Sequence, residues 1–161
     1  MGVTTPLRRE LKQRFFPLLG EKGFIQDDRD APHTIHFRRP ADDVVHLLEV
    51  QWDKYGGPTF VINFGTCPAG GLNTPNGQFP VEQVYTGWLR ESGRLQPKRG
   101  RGTSSWFSQK KPWLRRIFAK QEFRPPDEVV GELLALFPQV ETYWTTGAIG
   151  HNLLMVRFPD R

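Results

Sequence analysis

Leu7, Leu11, Phe15, Leu18 and Leu19 recur at three- and four-residue intervals with basic side chains between them, the spacing of one apolar stripe on an α-helix. This predicts a helix over residues 7–19, with Thr5 and Pro6 as cap and first turn, Pro17 kinking or shortening the last turn, and Gly20 and Gly23 as stop signals. Beyond Gly23 the pattern shifts to short alternating runs. Residues 33–39 predict a strand, Pro40 with Asp42 and Asp43 a turn, residues 44–53 a second strand, and residues 59–66 a third with Phe60, Ile62 and Phe64 on one face. The connection over 54–58 is short and contains Gly56, Gly57 and Pro58, so the region 33–66 is expected to be an antiparallel meander.

Downstream the signals are mixed. Residues 67–80 carry three Gly and three Pro, which predicts a loop. Val81, Val84, Tyr85, Trp88 and Leu89 have helical spacing, but Gly87 interrupts them and a strand through Trp88 fits as well, so residues 81–95 stay open between helix and strand. Residues 96–105 are too polar for a packed element. Residues 112–121 predict a short helix burying Trp113, Leu114, Ile117 and Phe118, and residues 126–137 another burying Val129, Val130, Leu133, Leu134 and Phe137, closed or bent by Pro138. Residues 153–158 predict an edge strand. These elements make one α+β domain over residues 1–161: an antiparallel sheet of about four or five strands with helices packed on one face.

Composition agrees with a packed domain. Of 161 residues, 37% are hydrophobic, with five Trp and twelve Phe available for a core. No apolar stretch approaches the roughly 20 residues that span a bilayer, and the opening MGVTTPLRRELKQRFF has no apolar signal region, so a cytoplasmic protein is expected. Cys67 is the one cysteine, which excludes an intramolecular disulfide and a thiolate zinc site; at the end of an apolar run it reads as a small buried hydrophobe.

The net charge of +5 conceals an uneven distribution. From Arg90 to Arg124 there are eleven basic side chains against two acidic ones, a local balance of +9 that leaves −4 for the rest of the chain. A clustered field of this kind suits an anionic partner, an acidic protein or a nucleic acid. Lys98, Arg99, Arg101, Lys110, Lys111, Arg115 and Arg116 are the candidate phosphate contacts, with Trp106 and Trp113 as candidate stacking platforms. If those tryptophans face the core instead, the cations simply solvate an outer surface.

Other chemistry is sparser. The aspartates of residues 27–32 lack the glycine and closing glutamate of a calcium loop, no Gly-Lys-Ser/Thr or GxGxxG occurs, and no metal or cofactor is expected. An acid–base site would recruit His36 or His46 with Glu49 or Asp53; His46 lies an odd number of residues from both carboxylates and so faces away from them, leaving cross-strand pairing with His36 as the remaining route, and His36 and His46 could themselves approach across a hairpin. Gln51 and Asn63 are polar positions inside otherwise apolar strands, either sheet hydrogen-bonding residues or the specificity groups of a pocket on one face.

The order Leu18-Leu19-Gly20-Glu21-Lys22-Gly23-Phe24, His36-Phe37-Arg38-Arg39, Glu49-Val50-Gln51-Trp52 and Phe60-Val61-Ile62-Asn63-Phe64-Gly65 resembles the bacterial family catalogued as domain of unknown function 4304. That family is built from a leading helix, a Gly-Phe turn, and strands bearing an arginine, a Val-Gln pair and an Asn-containing run. The resemblance covers residues 7–67; Arg94-Leu95, Trp106-Phe107 and residues 126–137 match later family features more loosely. It implies the fold and leaves activity open. The expectation is a noncatalytic binding or interaction module using a sheet face or the basic segment, with a nucleic-acid module and an acid–base enzyme as alternatives.

Overall fold

The computed structural model describes residues 5–29, 31–99, 102–111 and 123–158. Helix α1 (Thr5–Glu21) buries Leu7, Leu11, Phe15 and Leu19 completely, four residues apart. It runs past Pro17 rather than shortening there. Pro17 and Gln13, whose carbonyl loses its partner, both lie on the exposed side, where solvent can take the place of the lost bond. The helix ends where Gly23 turns left-handed at φ 85°. The Gly23 amide donates to the Gly20 carbonyl (3.0 Å) and the Phe24 amide to the Leu19 carbonyl (2.9 Å), a cap that swings Phe24 into the core.

Among the described residues the sheet is antiparallel and has seven strands, more than the pattern predicts. They are β1 (Ile25–Gln26), β2 (Thr34–Ala41), β3 (Val44–Trp52), β4 (Thr59–Pro68), β7 (Glu91–Leu95), β8 (Phe107–Ser108) and β9 (Leu153–Arg157); β5 (Leu72–Thr74) and β6 (Gly77–Phe79) form a separate hairpin. The order is β1-β2-β3-β4-β7-β9, and β8 pairs with the start of β4 beside β7. The final apolar run is the edge strand its sequence predicts. On one face the cross-strand pairs Phe37–Leu48–Phe64, Val50–Ile62–Leu95 and Trp52–Phe60 stack into the main core. Against them lie α1, α2 (Pro126–Leu136) and α3 (Pro138–Thr146), with Phe15 edge-on to Phe137 at 5.1 Å. Gly93 sits opposite Phe64, whose ring covers it so closely that a Cβ there would fall inside the ring.

Several expectations are corrected. The Gly- and Pro-rich stretch 67–80 is not all loop: it includes the end of β4 and the β5–β6 hairpin. Residues 81–95 are neither one helix nor one strand. They make two single 3-10 turns, Val81–Gln83 and Thr86–Trp88, followed by β7, because Gly87 and the buried Val84 and Leu89 favour a compact wrap over the sheet. Residues 96–105 include buried Gln96 and Ser105, which bond the Gly102 carbonyl (2.6 Å) and the Lys98 amide (3.1 Å), so polar side chains there fold the segment on itself. Pro138 does close the preceding helix, as expected: α2 ends at Leu136, and Pro138 starts α3 at a position where its missing amide hydrogen costs nothing. The expected helix at 112–121 lies outside the described residues.

The second face of the sheet has two zones. At one end Val45, Leu47 and Cys67 pack beneath Val81, Val84 and Leu89, and burial pushes the Cys67 thiol up, away from the reactive thiolate. This lid is held by Arg38, whose guanidinium donates to the carbonyls of Val81 (2.6 Å), Glu82 (3.1 Å) and Val84 (2.9 Å) while pairing with Asp27. The other zone is polar.

Candidate functional site

Strand register alone assembles that polar zone. His36 lies opposite Glu49, Glu49 opposite Asn63, and Asn63 opposite Arg94, so β2, β3, β4 and β7 each contribute one residue to a continuous row. Gln51 joins from the next same-face position of β3, and Thr86 reaches down from its 3-10 turn. Asn63 is the hub. Its amide nitrogen donates to Glu49 Oε1 (3.0 Å) and Gln51 Oε1 (2.8 Å), and its oxygen accepts from Arg94 Nε (3.0 Å). Thr86 Oγ1 donates to Glu49 Oε2 at 3.0 Å, and Arg94 Nη1 donates to the Thr103 carbonyl at 3.2 Å.

The direction of every bond follows from its ends. Arginine only donates and a carboxylate only accepts, so the amide of Asn63 must present oxygen to Arg94 and nitrogen to Glu49, and Gln51 must present its oxygen to both Asn63 and Arg94. Glu49 and Asn63 are buried and Gln51 is half-buried. Burial lowers the Arg94 guanidinium while Glu49 offsets part of that cost. Glu49, Gln51, Asn63 and Arg94 form the floor of an open cleft of about 270 Å³, whose other lining includes Ser92, Val156 and Phe158. A larger cleft of about 640 Å³ runs beside Trp88 and Met155, but its carboxylate, Glu91, is already held by the Tyr143 hydroxyl (2.8 Å) and Arg157 (2.7 Å).

Gln51 and Asn63, the two polar strand positions of the sequence, are thus brought together on one face. Arg94 is the residue sequence reasoning missed, since nothing local says that β7 pairs with β4 across an intervening hairpin and two turns. Of the acid–base candidates, His36 and Glu49 do meet across β2 and β3, with His36 Nδ1 3.5 Å from Glu49 Oε2. The imidazole is buried against Tyr85, bonded through Nε2 to Thr34, and does not line the cleft. His46 does not approach His36: it sits on the helix-bearing face opposite Arg39, stacked on Trp144 at 4.5 Å. Asp53 caps the tight turn after β3, accepting from the amides of Tyr55 and Gly57. Among the described residues no three His, Cys, Asp or Glu gather as metal ligands, and no described helix is long and apolar enough to cross a membrane.

The basic segment is only partly described. Lys98, Trp106, Lys110 and Lys111 line a cleft of about 330 Å³ with Arg124 and Glu132. Trp106 is half-buried, its indole nitrogen donating to the Thr103 carbonyl at 3.1 Å, whereas Phe107 beside it is fully inside. Arg99 points elsewhere, to His151 at 3.4 Å, and Arg124 is paired with Glu128 and Glu132. Arg101, Trp113, Arg115 and Arg116 lie outside the described residues.

Two histidines make stability depend on pH. Burial pushes His36 below its ordinary 6.5, against the pull of Glu49. Burial and the Arg39 guanidinium push His46 down, and Arg39 donates to His46 Nδ1 at 3.0 Å, which requires that nitrogen to be unprotonated. Below 6.5 the unfolded chain therefore binds protons that the folded chain resists, so this stability is complete above that value and lost as pH falls through it. Urea unfolding between pH 7.5 and 5.5 should show little change down to about 6.5 and a loss below it, shallower in His46→Gln, which keeps an acceptor for Arg39 without titrating; a flat wild-type profile contradicts the assignment.

No family model, curated protein or solved structure matches the chain, so what the cleft does is argued from its own residues.

Proposed function

We propose that this protein is a noncatalytic binding module that takes a small polar ligand into the cleft floored by Glu49, Gln51, Asn63 and Arg94. The observation that carries this reading is a buried, directionally ordered polar network opening onto a cavity. Burying such groups is costly unless each is satisfied, and placing them at a mouth with apolar walls is how binding sites fix the orientation of a ligand. Binding is favoured over acid–base catalysis because the imidazole of the His36–Glu49 pair is sealed beneath Tyr85.

The test is a thermal-stability screen of small polar compounds on wild type and Gly87→Phe. Gly87 lines the cleft and a Cβ there meets open space, so the ring can block the mouth without disturbing the fold. A ligand present at about 100 times its dissociation constant adds about 2.7 kcal/mol, several degrees of midpoint for a domain of this size. Stabilisers should lose their effect in Gly87→Phe and be recovered unchanged. Equal stabilisation of the variant places binding elsewhere, and consumption of the compound makes the protein an enzyme.

A second reading is favoured by the basic cleft, where Lys98, Lys110 and Lys111 converge beside half-buried Trp106. It makes the protein a single-strand nucleic-acid module. Three phosphate contacts predict a roughly 20-fold loss of affinity between 50 and 200 mM salt, measured by anisotropy of a labelled oligonucleotide. No binding at low salt leaves these lysines as a solvated surface.

A further inference from the structure

Every acceptor oxygen in the network that floors the polar cleft is already bonded, whereas some of its donors are not. Gln51 Oε1 accepts from both Asn63 and Arg94, Asn63 Oδ1 accepts from Arg94, and Glu49 accepts from Asn63 and Thr86 with His36 close to the same oxygen. The nitrogen of the Gln51 amide, by contrast, has no partner among the described residues. A guanidinium carries five N–H groups, and described residues accept three bonds from Arg94, one of them long at 3.5 Å, which leaves two. A ligand entering here meets spare N–H groups on the cationic Arg94 and on the Gln51 amide, and so must bring acceptors.

Charge and size narrow the class. Arg94 and Glu49 face the same cavity, so its net charge is close to zero; Glu49 repels any anion, a dianion about twice as strongly as a monoanion, and one carboxylate placed on Arg94 is matched by one guanidinium charge. The two parallel donors that a guanidinium offers match the two oxygens of a carboxylate. Val156 and Phe158 provide apolar wall, and about 270 Å³ admits only a short chain. We propose that the cleft binds a small monocarboxylate with a short apolar tail, its carboxylate held by Arg94 and the Gln51 amide. The proposal rests on the reading of this cleft as a ligand site and specifies what the site selects.

Butyrate, butyramide, butylamine and inorganic phosphate, titrated into labelled full-length protein while the side-chain resonances of Gln51 and Arg94 are followed by NMR, test it. Butyrate should give saturable shifts at both side chains, with the other three at least tenfold weaker. Gln51→Glu, which replaces the spare donors with a charge of the wrong sign, should abolish the butyrate response, and Arg94→Lys should weaken it about tenfold through loss of the paired donors. Saturable binding of butyramide or butylamine equal to that of butyrate would overturn the monocarboxylate assignment while upholding the cleft as a binding site. Phosphate binding as well as butyrate also overturns it. If none of the four shifts these resonances, the monocarboxylate proposal fails, and the stability screen decides separately whether the cleft binds anything. The wild-type comparison stands even where a variant does not fold.

Discussion

Arg38→Ala is expected to cost about 3 kcal/mol or more and to release the segment 80–89 from the sheet. Three carbonyls of that segment receive hydrogen bonds from one guanidinium, which is also paired with Asp27 at 3.3 Å and is only 14% exposed. Bonds from a charged donor contribute about 1.5–3 kcal/mol each before overlap, and removing one side of a buried ion pair costs about 3–5 kcal/mol because the partner stays charged. Arg29 remains on Asp27 at 2.7 Å and offsets part of that loss, which sets the expectation at the lower end. The effect should be uneven. Val81, Val84 and Leu89 cover Val45, Leu47 and Cys67, so amide exchange should quicken there and in the 3-10 turns, while α1 and the β3–β4 ladder change only through global stability. Arg38→Lys should recover less than half of the loss, because an ammonium cannot span three carbonyls and a carboxylate with a planar fork. A loss under about 1 kcal/mol with unchanged exchange at 80–89 contradicts this account.

The same segment shows where sequence reading succeeds and where it stops. Leu7, Leu11, Phe15 and Leu19 announce α1 because an apolar stripe at helical spacing has one good solution, and β2 to β4 are legible because alternation and short turns leave one register that buries Phe37, Leu48, Ile62 and Phe64 together. Residues 81–89 carry apolar positions at helical spacing yet form no α-helix, since they are shaped by Arg38, 43 to 46 positions away in the chain. No local pattern encodes a staple of that range. The candidate site divides in the same way. Gln51 and Asn63 stand out as polar residues in apolar strands, and both prove to face one another. Arg94, which completes the site, lies in a segment that the sequence marks only as a cluster of positive charge. A basic residue that pairs with a buried amide on a neighbouring strand cannot be told from a solvated one until the strand order is known.

A polar row through the middle of a sheet is also a device for register. One-residue slippage of β3 against β4 would bring Glu49 against Ile62 or Phe64 and leave a carboxylate and an amide unpaired in apolar surroundings. Sheet alignment and cleft geometry are therefore set by the same three bonds of Asn63.

Asn63→Asp isolates that role, since it preserves shape and inverts the hydrogen bonding. Gln51 can flip its amide to donate to the new carboxylate, and the Arg94 bond, already charge-assisted, becomes a salt bridge. The bond to Glu49 has no such remedy: an oxygen replaces the nitrogen 3.0 Å from Glu49 Oε1, placing two carboxylates in contact inside a buried network. The expected loss at pH 7.5 is about 3 kcal/mol. Its pH dependence should carry the opposite sign to that of wild type. Mutual repulsion raises the pair above the roughly 4 of unfolded carboxylates, so the folded variant holds a proton that the unfolded chain releases, and stability returns as pH falls. Urea unfolding at pH 7.5 and 5.5 should therefore show wild type weakening on acidification, as His36 and His46 dictate, while Asn63→Asp loses part of its deficit. If the variant keeps its deficit, or falls in parallel with wild type, Glu49 and residue 63 are not in direct contact in solution and the row across β2, β3, β4 and β7 does not hold the cleft as described.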